Sequence, residues 1–264
     1  MLINKFHNEN CFETMGKMND NMIDVVLTSP FYNTNIKAGK RKTLLNTQSK
    51  RGHYDYVRYD IHCDVMSNDE YCEFTIKLFK EYNRILKKNG CVLYNISYGN
   101  ENTEGMFRAL NSIITQTDFT VADCIIWKKS NALPNNCSSN RLTRLTEFVF
   151  VFCRKDELKT FHSNKKIVSV RKTGQKMYEN IYNIVEAKNN DGPCHLNKAT
   201  YSSELCEKLL KIYAPINQDT IVYDSFMGSG TTAVACAKLG LKFIGSEISE
   251  SQCVYSENRL KQVL

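Results

Sequence analysis

A short glycine-rich segment, Asp224–Thr232, has the residue types of a loop that holds a nucleoside cofactor. The β-prone run Thr220–Tyr223 precedes it and the helix-forming run Ala233–Leu239 follows it, which gives the order strand, tight turn, helix. Glycines at such a turn let the backbone approach a ligand, and the helix start offers free N–H groups. Glu247 ends the next apolar run, about 20 residues beyond the first glycine, where a carboxylate can hold ribose hydroxyls. The pattern predicts a nucleoside-cofactor site.

The segment Ser29-Pro30-Phe31-Tyr32 follows a nearly continuous apolar run, Met22–Thr28, and so lies at the tip of a predicted strand. A serine hydroxyl and a neighbouring main-chain carbonyl, held in place by Pro30, can accept hydrogen bonds from both N–H groups of an exocyclic amino group on a nucleobase. Such acceptors draw the nitrogen toward sp³ geometry and hold it in line with an electrophilic methyl group. An adjacent aromatic ring can stack on a base turned out of its helix. The tetrapeptide suits amino-group methylation without a covalent intermediate.

These two segments need strands whose carboxyl ends meet at one edge of a sheet. Ser67 and Glu70 form a capping box that predicts a helix start, and Lys87–Gly90 predict the end of that helix. Strands are also predicted near 91–96, 119–127 and 145–152, and further helices near 104–116 and after Ser202 and Ser249. Alternating strands and helices predict an α/β fold with a mostly parallel, doubly wound sheet.

The positive charge of the chain is concentrated in two polar segments. The formal net charge is +7. Residues 34–60 carry seven basic side chains against two acidic ones, and residues 153–195 carry nine against five. This segregation is typical of a footprint on a polyanion, and the tyrosines of the first segment suit base stacking. We expect DNA contacts from Lys40, Arg41, Lys42, Arg51, Lys165, Lys166, Arg171 and Lys172.

The eleven cysteines are scattered, and none has the spacing of a CxxC or Cys/His zinc motif. Several lie in apolar runs, which predicts buried free thiols in a reducing cytoplasm. The amino-terminal residues include no apolar signal segment, and no apolar run approaches the ~18 residues of a membrane span. The sequence predicts a cytoplasmic protein with no metal site and no membrane partner.

Three segments resemble the motifs of the DNA amino-methyltransferases that act on cytosine N4 or adenine N6. Thr28–Tyr32 resembles the family's (D/N/S)-P-P-(Y/F) box, Asp224–Thr232 its D-P-F-x-G-S-G-T-T box, and Gly245–Ile248 its G-x-E box. The catalytic box precedes the glycine box, which is the order of the permuted type. Because both boxes occur in this order, and the likeness spans nearly the whole chain, the chain is identified as a member of this family.

The resemblance implies an enzyme with a Rossmann-like fold that transfers a methyl group from S-adenosylmethionine to the amino group of a flipped base, at a specific sequence in double-stranded DNA. It also implies a restriction–modification setting and a bacterial or viral source. The catalytic residues would be Ser29, Pro30, Phe31 and Tyr32. The methyl donor would be bound by Asn10, Cys11, Asp224, Phe226, Gly228, Ser229, Gly230, Thr231, Thr232 and Glu247.

The resemblance further implies three regions. Residues 1–152 would be the catalytic half of the methyltransferase domain and would include the basic loop 34–60. Residues 153–195 would be a target-recognition region, and residues 196–264 the cofactor-binding half of the same domain. A homodimer and a cognate restriction endonuclease stay open as partners.

Four positions depart from the family's pattern. Phe31 replaces the second proline of the catalytic box, which loosens the loop, and Ser225 replaces the proline after Asp224. Asn10-Cys11 stands where the family often has an aspartate beside the donor's adenine, and residues 197–200 match the pocket-closing helix start only loosely. Family members with serine in the first position of the catalytic box tend to act on cytosine. We therefore favour cytosine N4 over adenine N6 as the methylated atom.

Other functions fit parts of the pattern. The spacing of Gly228, Gly230 and Ala233 also suits an NAD-dependent enzyme. A catalytically silent nucleic-acid-binding module could share the fold, and RNA could replace DNA as the methyl acceptor. The two basic segments argue against a protein amide. Pro193-Cys194 is rejected as a cytosine-attacking nucleophile because no cofactor box precedes it.

Overall fold

The computed structural model describes residues 2–34, 40–41, 56–57, 65–131, 139–192, 194, 196–197 and 200–264. Two of the predicted DNA contacts, Lys42 and Arg51, lie outside the described residues. Lys40 and Arg41 are described only as the backbone of a short strand.

The described residues form strands, α-helices and one 3-10 helix. The strands are β1 (Lys5–Asn8), β2 (Ile23–Thr28), β3 (Lys40–Arg41), β4 (Tyr56–Val57), β5 (Leu86–Ile96), β6 (Phe119–Lys129), β7 (Thr146–Arg154), β8 (Ile167–Val170), β9 (Lys176–Tyr178), β10 (Ile184–Ala187), β11 (Ile221–Asp224) and β12 (Lys242–Glu247). The helices are α1 (Cys11–Gly16), α2 (Asn68–Ile85), α3 (Gly105–Gln116), the 3-10 turn Lys155–Glu157, α4 (Ser203–Tyr213), α5 (Thr231–Leu239) and α6 (Glu250–Lys261).

Eight strands form one sheet in the order β1-β12-β11-β2-β5-β7-β6-β10. β7 runs antiparallel to β5 and β6, whereas the other neighbouring pairs of this sheet are parallel. Val25 and Leu27 of β2 belong to one buried apolar cluster and Val26 to another, because successive side chains of a strand point to opposite faces. Residues of α4 and α5 complete the first cluster and residues of α2 and α3 the second. The predicted mostly parallel, doubly wound α/β sheet is confirmed.

Helix α2 begins where the capping box predicts and ends differently. The Glu70 amide donates to Ser67 Oγ at 3.2 Å, and the Ser67 amide donates to Glu70 Oε2 at 2.8 Å. The helix ends at Ile85. Lys87–Gly90 belong to β5, at the point where its pairing with β2 shifts in register, and do not form a last helical turn. The reason is that the buried Leu86 pairs with Ile23 of β2, so sheet pairing competes with the local helix signal.

We expect Ser67→Ala to lower the free energy of unfolding by about 1 kcal/mol, because the Glu70 amide loses the oxygen that caps the helix. Urea unfolding followed by circular dichroism measures the change. Ser67→Asp keeps an acceptor oxygen and should retain most of the stability. An equal loss in both variants would show that the cap contributes nothing.

The described cysteines are free, and most are buried. Burial raises the pKa of the Cys11 thiol to about 12 and that of Cys253 to about 12. Such thiols are rarely ionised near neutral pH, so they act as small apolar core residues. No helix in the described part of the chain combines the length and apolar character needed to cross a membrane. Among the same residues, no group of three or more His, Cys, Asp or Glu side chains could hold a metal ion.

Candidate active site

The two segments singled out in the sequence meet at the carboxyl ends of β2 and β11. These strands are parallel neighbours, with Val25 opposite Val222 and Val26 opposite Tyr223. Ser29 follows β2 and the glycine loop follows β11. Thr28 Oγ1 donates a hydrogen bond to Asp224 Oδ1 at 2.7 Å and so joins the two tips, although 196 positions separate them in sequence.

Asp224 is a carboxylate that the protein surrounds completely. It is 1% exposed, and burial raises its pKa. Oδ1 accepts from the Thr28 hydroxyl and from the Phe226 amide at 3.0 Å. Oδ2 accepts from the hydroxyls of Thr232 at 2.6 Å and Tyr201 at 3.0 Å. Because both carboxylate oxygens accept hydrogen bonds from the protein, Asp224 stabilises the conformation of the loop that follows β11.

The glycine loop depends on two left-handed residues. Gly228 has φ 52° and Gly230 has φ 75°, and a Cβ at these positions would lie 2.9 Å from Asn197 Nδ2 and 2.8 Å from Ser256 Cβ. Only glycine takes this conformation without strain. Gly230 also directly precedes α5, so the free N–H groups of the first helical turn follow the loop.

The other polar residues of the glycine box hold the loop in place. Ser229, Thr231 and Thr232 are buried. Arg259 donates from Nη1 to the Ser229 carbonyl at 2.9 Å and to Thr231 Oγ1 at 2.9 Å. The same guanidinium forms an ion pair with Asp191. Helix α6, which carries Arg259, therefore fastens the loop from one side.

Glu247 lies at the tip of β12, beside the glycine loop. Its Oε2 accepts from the Gly228 amide at 2.9 Å and its Oε1 from the Ser249 amide at 2.9 Å. These bonds fix the carboxylate next to the glycine loop.

Asn10 and Cys11 follow β1, the next strand of the sheet. Asn8 of β1 lies opposite Glu247 of β12. Asn10 caps α1, and its Oδ1 accepts from the Phe12 amide at 3.0 Å. The structure therefore gathers the residues predicted to bind the donor along the adjacent tips of β1, β12 and β11.

Phe31 packs into an aromatic cluster. Its ring centroid lies 5.4 Å from that of Tyr71, 5.2 Å from that of Phe74 and 6.1 Å from that of Phe226. The Tyr71 hydroxyl donates to the Phe31 carbonyl at 2.7 Å. These contacts hold the catalytic box against α2 and the glycine loop, so packing replaces the rigidity that the second proline would supply.

Sequence reasoning missed Asn95, a polar residue that forms a hydrogen bond with Ser29. Asn95 lies near the carboxyl end of β5 and is 3% exposed. Its Oδ1 accepts from Ser29 Oγ at 3.2 Å and from the Tyr32 hydroxyl at 3.1 Å. An amide within the apolar run Cys91–Ile96 is a signal that could have revealed it, because buried polar side chains need partners.

Glu147 and Lys129 extend the same network and were also missed. Tyr32 donates from its hydroxyl to Glu147 Oε2 at 3.0 Å, and Lys129 Nζ donates to Glu147 Oε1 at 2.5 Å. Glu147 lies at the start of β7, whose antiparallel direction places its first residues at the carboxyl ends of β2 and β5. Three strands therefore contribute side chains around Ser29 and Tyr32.

Four predicted DNA contacts lie on or beside the hairpin β8–β9 and are exposed: Lys165, Lys166, Arg171 and Lys172. The chain enters this hairpin from the end of the sheet opposite to the one that carries Ser29. His162 donates from its amide to the Asn89 carbonyl at 2.9 Å. Asn89 precedes Cys91, which is about 13 Å along the strand from Asn95. The structure thus does not bring Lys165 and Lys166 to the Ser29 tip.

The predicted target-recognition region, residues 153–195, also contributes to the main sheet. Its last strand, β10, pairs in parallel with β6. The hairpin β8–β9 is therefore only one part of this region, and the other part belongs to the core architecture.

Two exposed arginines lie nearer the tip than the predicted lysines. The Arg144 guanidinium lies 4.7 Å above the Tyr98 ring, and its Nη2 donates to Asn100 Oδ1 at 3.0 Å. Arg141 Nη1 donates to the same oxygen at 3.4 Å. Tyr98 and Asn100 follow β5, so the arginines belong to the edge that carries Ser29.

The family described as DNA methylase, N6_N4_Mtase, matches residues 23–258. Type II methyltransferase M.HinfI of Haemophilus influenzae is 25% identical over 261 residues, which are 96% of this chain and 67% of that protein. Type II methyltransferase M2.DpnII of Streptococcus pneumoniae is 24% identical over 251 residues, 95% of this chain and 87% of that protein.

Solved structures share the architecture. The cytosine-N4-specific PvuII DNA methyltransferase has a TM-score of 0.66 at 17% identity, covering 98% of this chain and 90% of its own. M1.HpyAVI in complex with S-adenosylmethionine has a TM-score of 0.62 at 21% identity, covering 97% and 98%. The fold is that of the S-adenosylmethionine-dependent methyltransferases.

The family match decides between the functions that the sequence leaves open. It confirms the predicted enzyme, an S-adenosylmethionine-dependent DNA amino-methyltransferase, over an NAD-dependent enzyme or a silent binding module. The match includes both tips of the site, Ser29–Tyr32 and Asp224–Thr232. The chain belongs to the N6_N4_Mtase family of DNA methylases.

Proposed function

We propose that this protein methylates the exocyclic amino group of a base flipped out of double-stranded DNA, at a specific sequence, with N4 of cytosine as the methylated atom. The observation that carries the proposal is the junction of the two tips. The hydrogen bond from Thr28 to Asp224 holds the tetrapeptide Ser29–Tyr32 beside the glycine loop, where an amino group and a methyl donor can meet.

The residues around the loop fit S-adenosylmethionine. Gly228 and Gly230 leave the backbone free of Cβ atoms, and Glu247 lies beside them as a partner for ribose hydroxyls. Asn10 and Cys11, at the neighbouring tip, would lie beside the adenine. Ser229, Thr231 and Thr232 would act mainly by holding the loop. When bound, S-adenosylmethionine supplies an electrophilic methyl group.

Catalysis in this proposal is the positioning of a weak nucleophile. The lone pair of an exocyclic amino group is delocalised into the base. Ser29 Oγ and the Pro30 carbonyl would accept its two N–H groups and so direct the lone pair toward the methyl group. Tyr32 would contact the flipped base, and Phe31 would hold the box through its aromatic contacts.

The preference for cytosine is supported by two observations. Ser29 supplies one acceptor oxygen on a short arm, and a structural neighbour of this chain is named as cytosine-N4-specific. Adenine N6 is the alternative. The names of the relatives, type II methyltransferases, support a restriction–modification setting, with a cognate endonuclease as the expected partner. The cytoplasm is the location proposed from the sequence.

The test of the proposal is nucleoside analysis. Unmethylated genomic DNA is incubated with the protein and methyl-labelled S-adenosylmethionine, digested and examined by mass spectrometry. Labelled N4-methylcytosine is the expected product. Labelled N6-methyladenine alone would overturn the base assignment, and label in RNA but not in DNA would overturn the proposed substrate. Single-molecule sequencing of DNA from an expressing host then gives the recognition sequence.

In this proposal Arg144 contacts a DNA phosphate at the Ser29 edge. Arg144→Gln is then expected to weaken DNA binding nearly uniformly across sequences and to reduce the salt slope of log K by about 1. The measurement is fluorescence anisotropy with duplex DNA at several salt concentrations. Lys165→Gln is the matched comparison, since Lys165 enters from the far end of the sheet. A larger effect at Lys165 than at Arg144 would place the DNA along the hairpin β8–β9.

A further inference from the structure

The side-chain amide of Asn95 has a fixed direction. Its Nδ2 donates to the Phe148 carbonyl of the adjacent strand β7 at 3.0 Å. This bond turns Oδ1 toward the catalytic box, where it meets the hydroxyls of Ser29 and Tyr32. An amide oxygen only accepts hydrogen bonds and has two lone pairs, so it can receive both hydroxyl protons. At 3% exposure, Asn95 has little competition from solvent.

The direction of the Ser29 proton matters for the proposed chemistry. A hydroxyl is both a donor and an acceptor, and it rotates to suit its surroundings. To accept an N–H group of the base, Ser29 Oγ must send its own proton elsewhere. Two acceptors lie within reach: Asn95 Oδ1 at 3.2 Å and the Tyr32 hydroxyl at 3.3 Å. Asn95 Oδ1 is the one of the two that cannot donate a proton back to Ser29. Aspartate or asparagine at position 29 would carry an acceptor oxygen without such help.

Glu147 does the same for the neighbouring hydroxyl. Tyr32 reaches Glu147 Oε2 at 3.0 Å, which gives its proton a charged acceptor besides Asn95. Lys129 neutralises Glu147 from the other side and fixes the carboxylate. The hydroxyl protons of the catalytic box are therefore drawn inward, toward β5 and β7.

We propose that Asn95, supported by Glu147, is a positioning residue that makes the Ser29 hydroxyl an obligate hydrogen-bond acceptor and thereby selects bases that present an amino group. The inference rests on the proposed function. A base with a carbonyl oxygen at the same place, such as uracil in place of cytosine, would bring its lone pairs against those of Ser29. The network therefore discriminates amino from carbonyl at the methylated atom.

The test uses the full chain and the recognition duplex identified by sequencing. Asn95→Leu keeps the approximate shape and removes the acceptor. We expect kcat to fall by about 10- to 100-fold with the dissociation constant of S-adenosylmethionine unchanged within about twofold. Binding of the duplex is compared with that of a duplex carrying uracil at the target position, or hypoxanthine if adenine is the target. The preference for the amino base should fall by about tenfold.

Three further variants separate positioning from a structural role. Asn95→Asp retains acceptor oxygens but loses the Nδ2 donor to the Phe148 carbonyl, so it should recover part of the lost kcat. Asn95→Leu added to Ser29→Ala should lower kcat little further, because Asn95 acts through Ser29. Asn111→Leu makes the same substitution at an exposed position on α3, away from the site, and should leave kcat unchanged.

Retention of wild-type kcat and base preference in Asn95→Leu would overturn the inference. So would a loss of kcat that Asn95→Asp does not recover and that accompanies lost donor binding. If Asn95→Leu does not fold, Glu147→Gln decides, with an expected severalfold loss of base preference; no loss would count against the proposal. A wild-type protein that labels no DNA would contradict the proposed function itself.

Discussion

Ser29→Ala is expected to lower kcat for methyl transfer by about 10²–10³-fold, the scale observed when one preorganised hydrogen-bonding group is removed from an active site. The physical reason is that the amino nitrogen loses an acceptor that directs its lone pair. The tip itself should survive, because Phe31 remains in its aromatic cluster and Thr28 still binds Asp224. Single-turnover kinetics with labelled donor measures the change directly.

Two controls accompany this variant. The dissociation constant of S-adenosylmethionine should stay within about twofold of the wild-type value, because Ser29 lies outside the glycine loop. Ser112→Ala removes a buried hydroxyl on α3, away from the site, and should leave kcat unchanged. A Ser29→Ala enzyme with wild-type kcat would show that the hydroxyl does not take part in the reaction.

Gly228→Ala should raise the dissociation constant of S-adenosylmethionine by at least about tenfold, the equivalent of some 1.4 kcal/mol. The added Cβ would lie 2.9 Å from Asn197 Nδ2, so the Asn197 amide must move from its bond to Gln252 Oε1, and an alanine at φ 52° favours a shift of the loop that relieves the backbone strain. Such a shift also moves the Gly228 amide away from Glu247 Oε2, to which it now donates at 2.9 Å. Isothermal titration calorimetry with the donor measures the effect.

Gly240→Ala is the matched control. Gly240 ends α5 with φ 67°, and no atom lies within 4 Å of a Cβ added there. Both variants pay the left-handed strain of roughly 1 kcal/mol, so both should unfold at lower denaturant concentration. Only Gly228→Ala should lose donor affinity. An equal loss of affinity in both would mean that strain alone, and not the shape of the loop, controls binding.

The structural features that depend on neighbouring residues were predicted from the sequence. The strand, turn and helix around Gly228 and the capping box of Ser67 and Glu70 depend on neighbours within a few residues. The end of α2 depends on the pairing of Leu86 with Ile23, more than 60 positions away, and no local pattern reports that pairing. The predicted end of α2 was therefore wrong, because the residues after Ile85 pair with the sheet.

The candidate site shows the same difference between features that the sequence predicts and contacts that only the fold reveals. The order of the two boxes was enough to predict that Ser29 lies beside the glycine loop, because parallel strands present their carboxyl ends together. The contacts of Asn95 and Glu147 with the Ser29 tip follow only from the order of the sheet, which places β5 next to β2 and β7 next to β5. The charged residues of 153–195 were counted correctly from the sequence. A charge count does not show which end of the sheet these residues reach, and the chain reaches Lys165 from the end opposite to Ser29.

The antiparallel course of β7 has a consequence for how this enzyme could be modified. Because β6 ends and β7 begins at the same edge, with Lys128 opposite Thr146, the connection of residues 130–145 leaves from that edge and returns to it. Both described ends of this connection therefore lie at the edge of the sheet where DNA is proposed to bind, and a segment exchanged between them could change the surface at that edge while β6 and β7 keep their pairing.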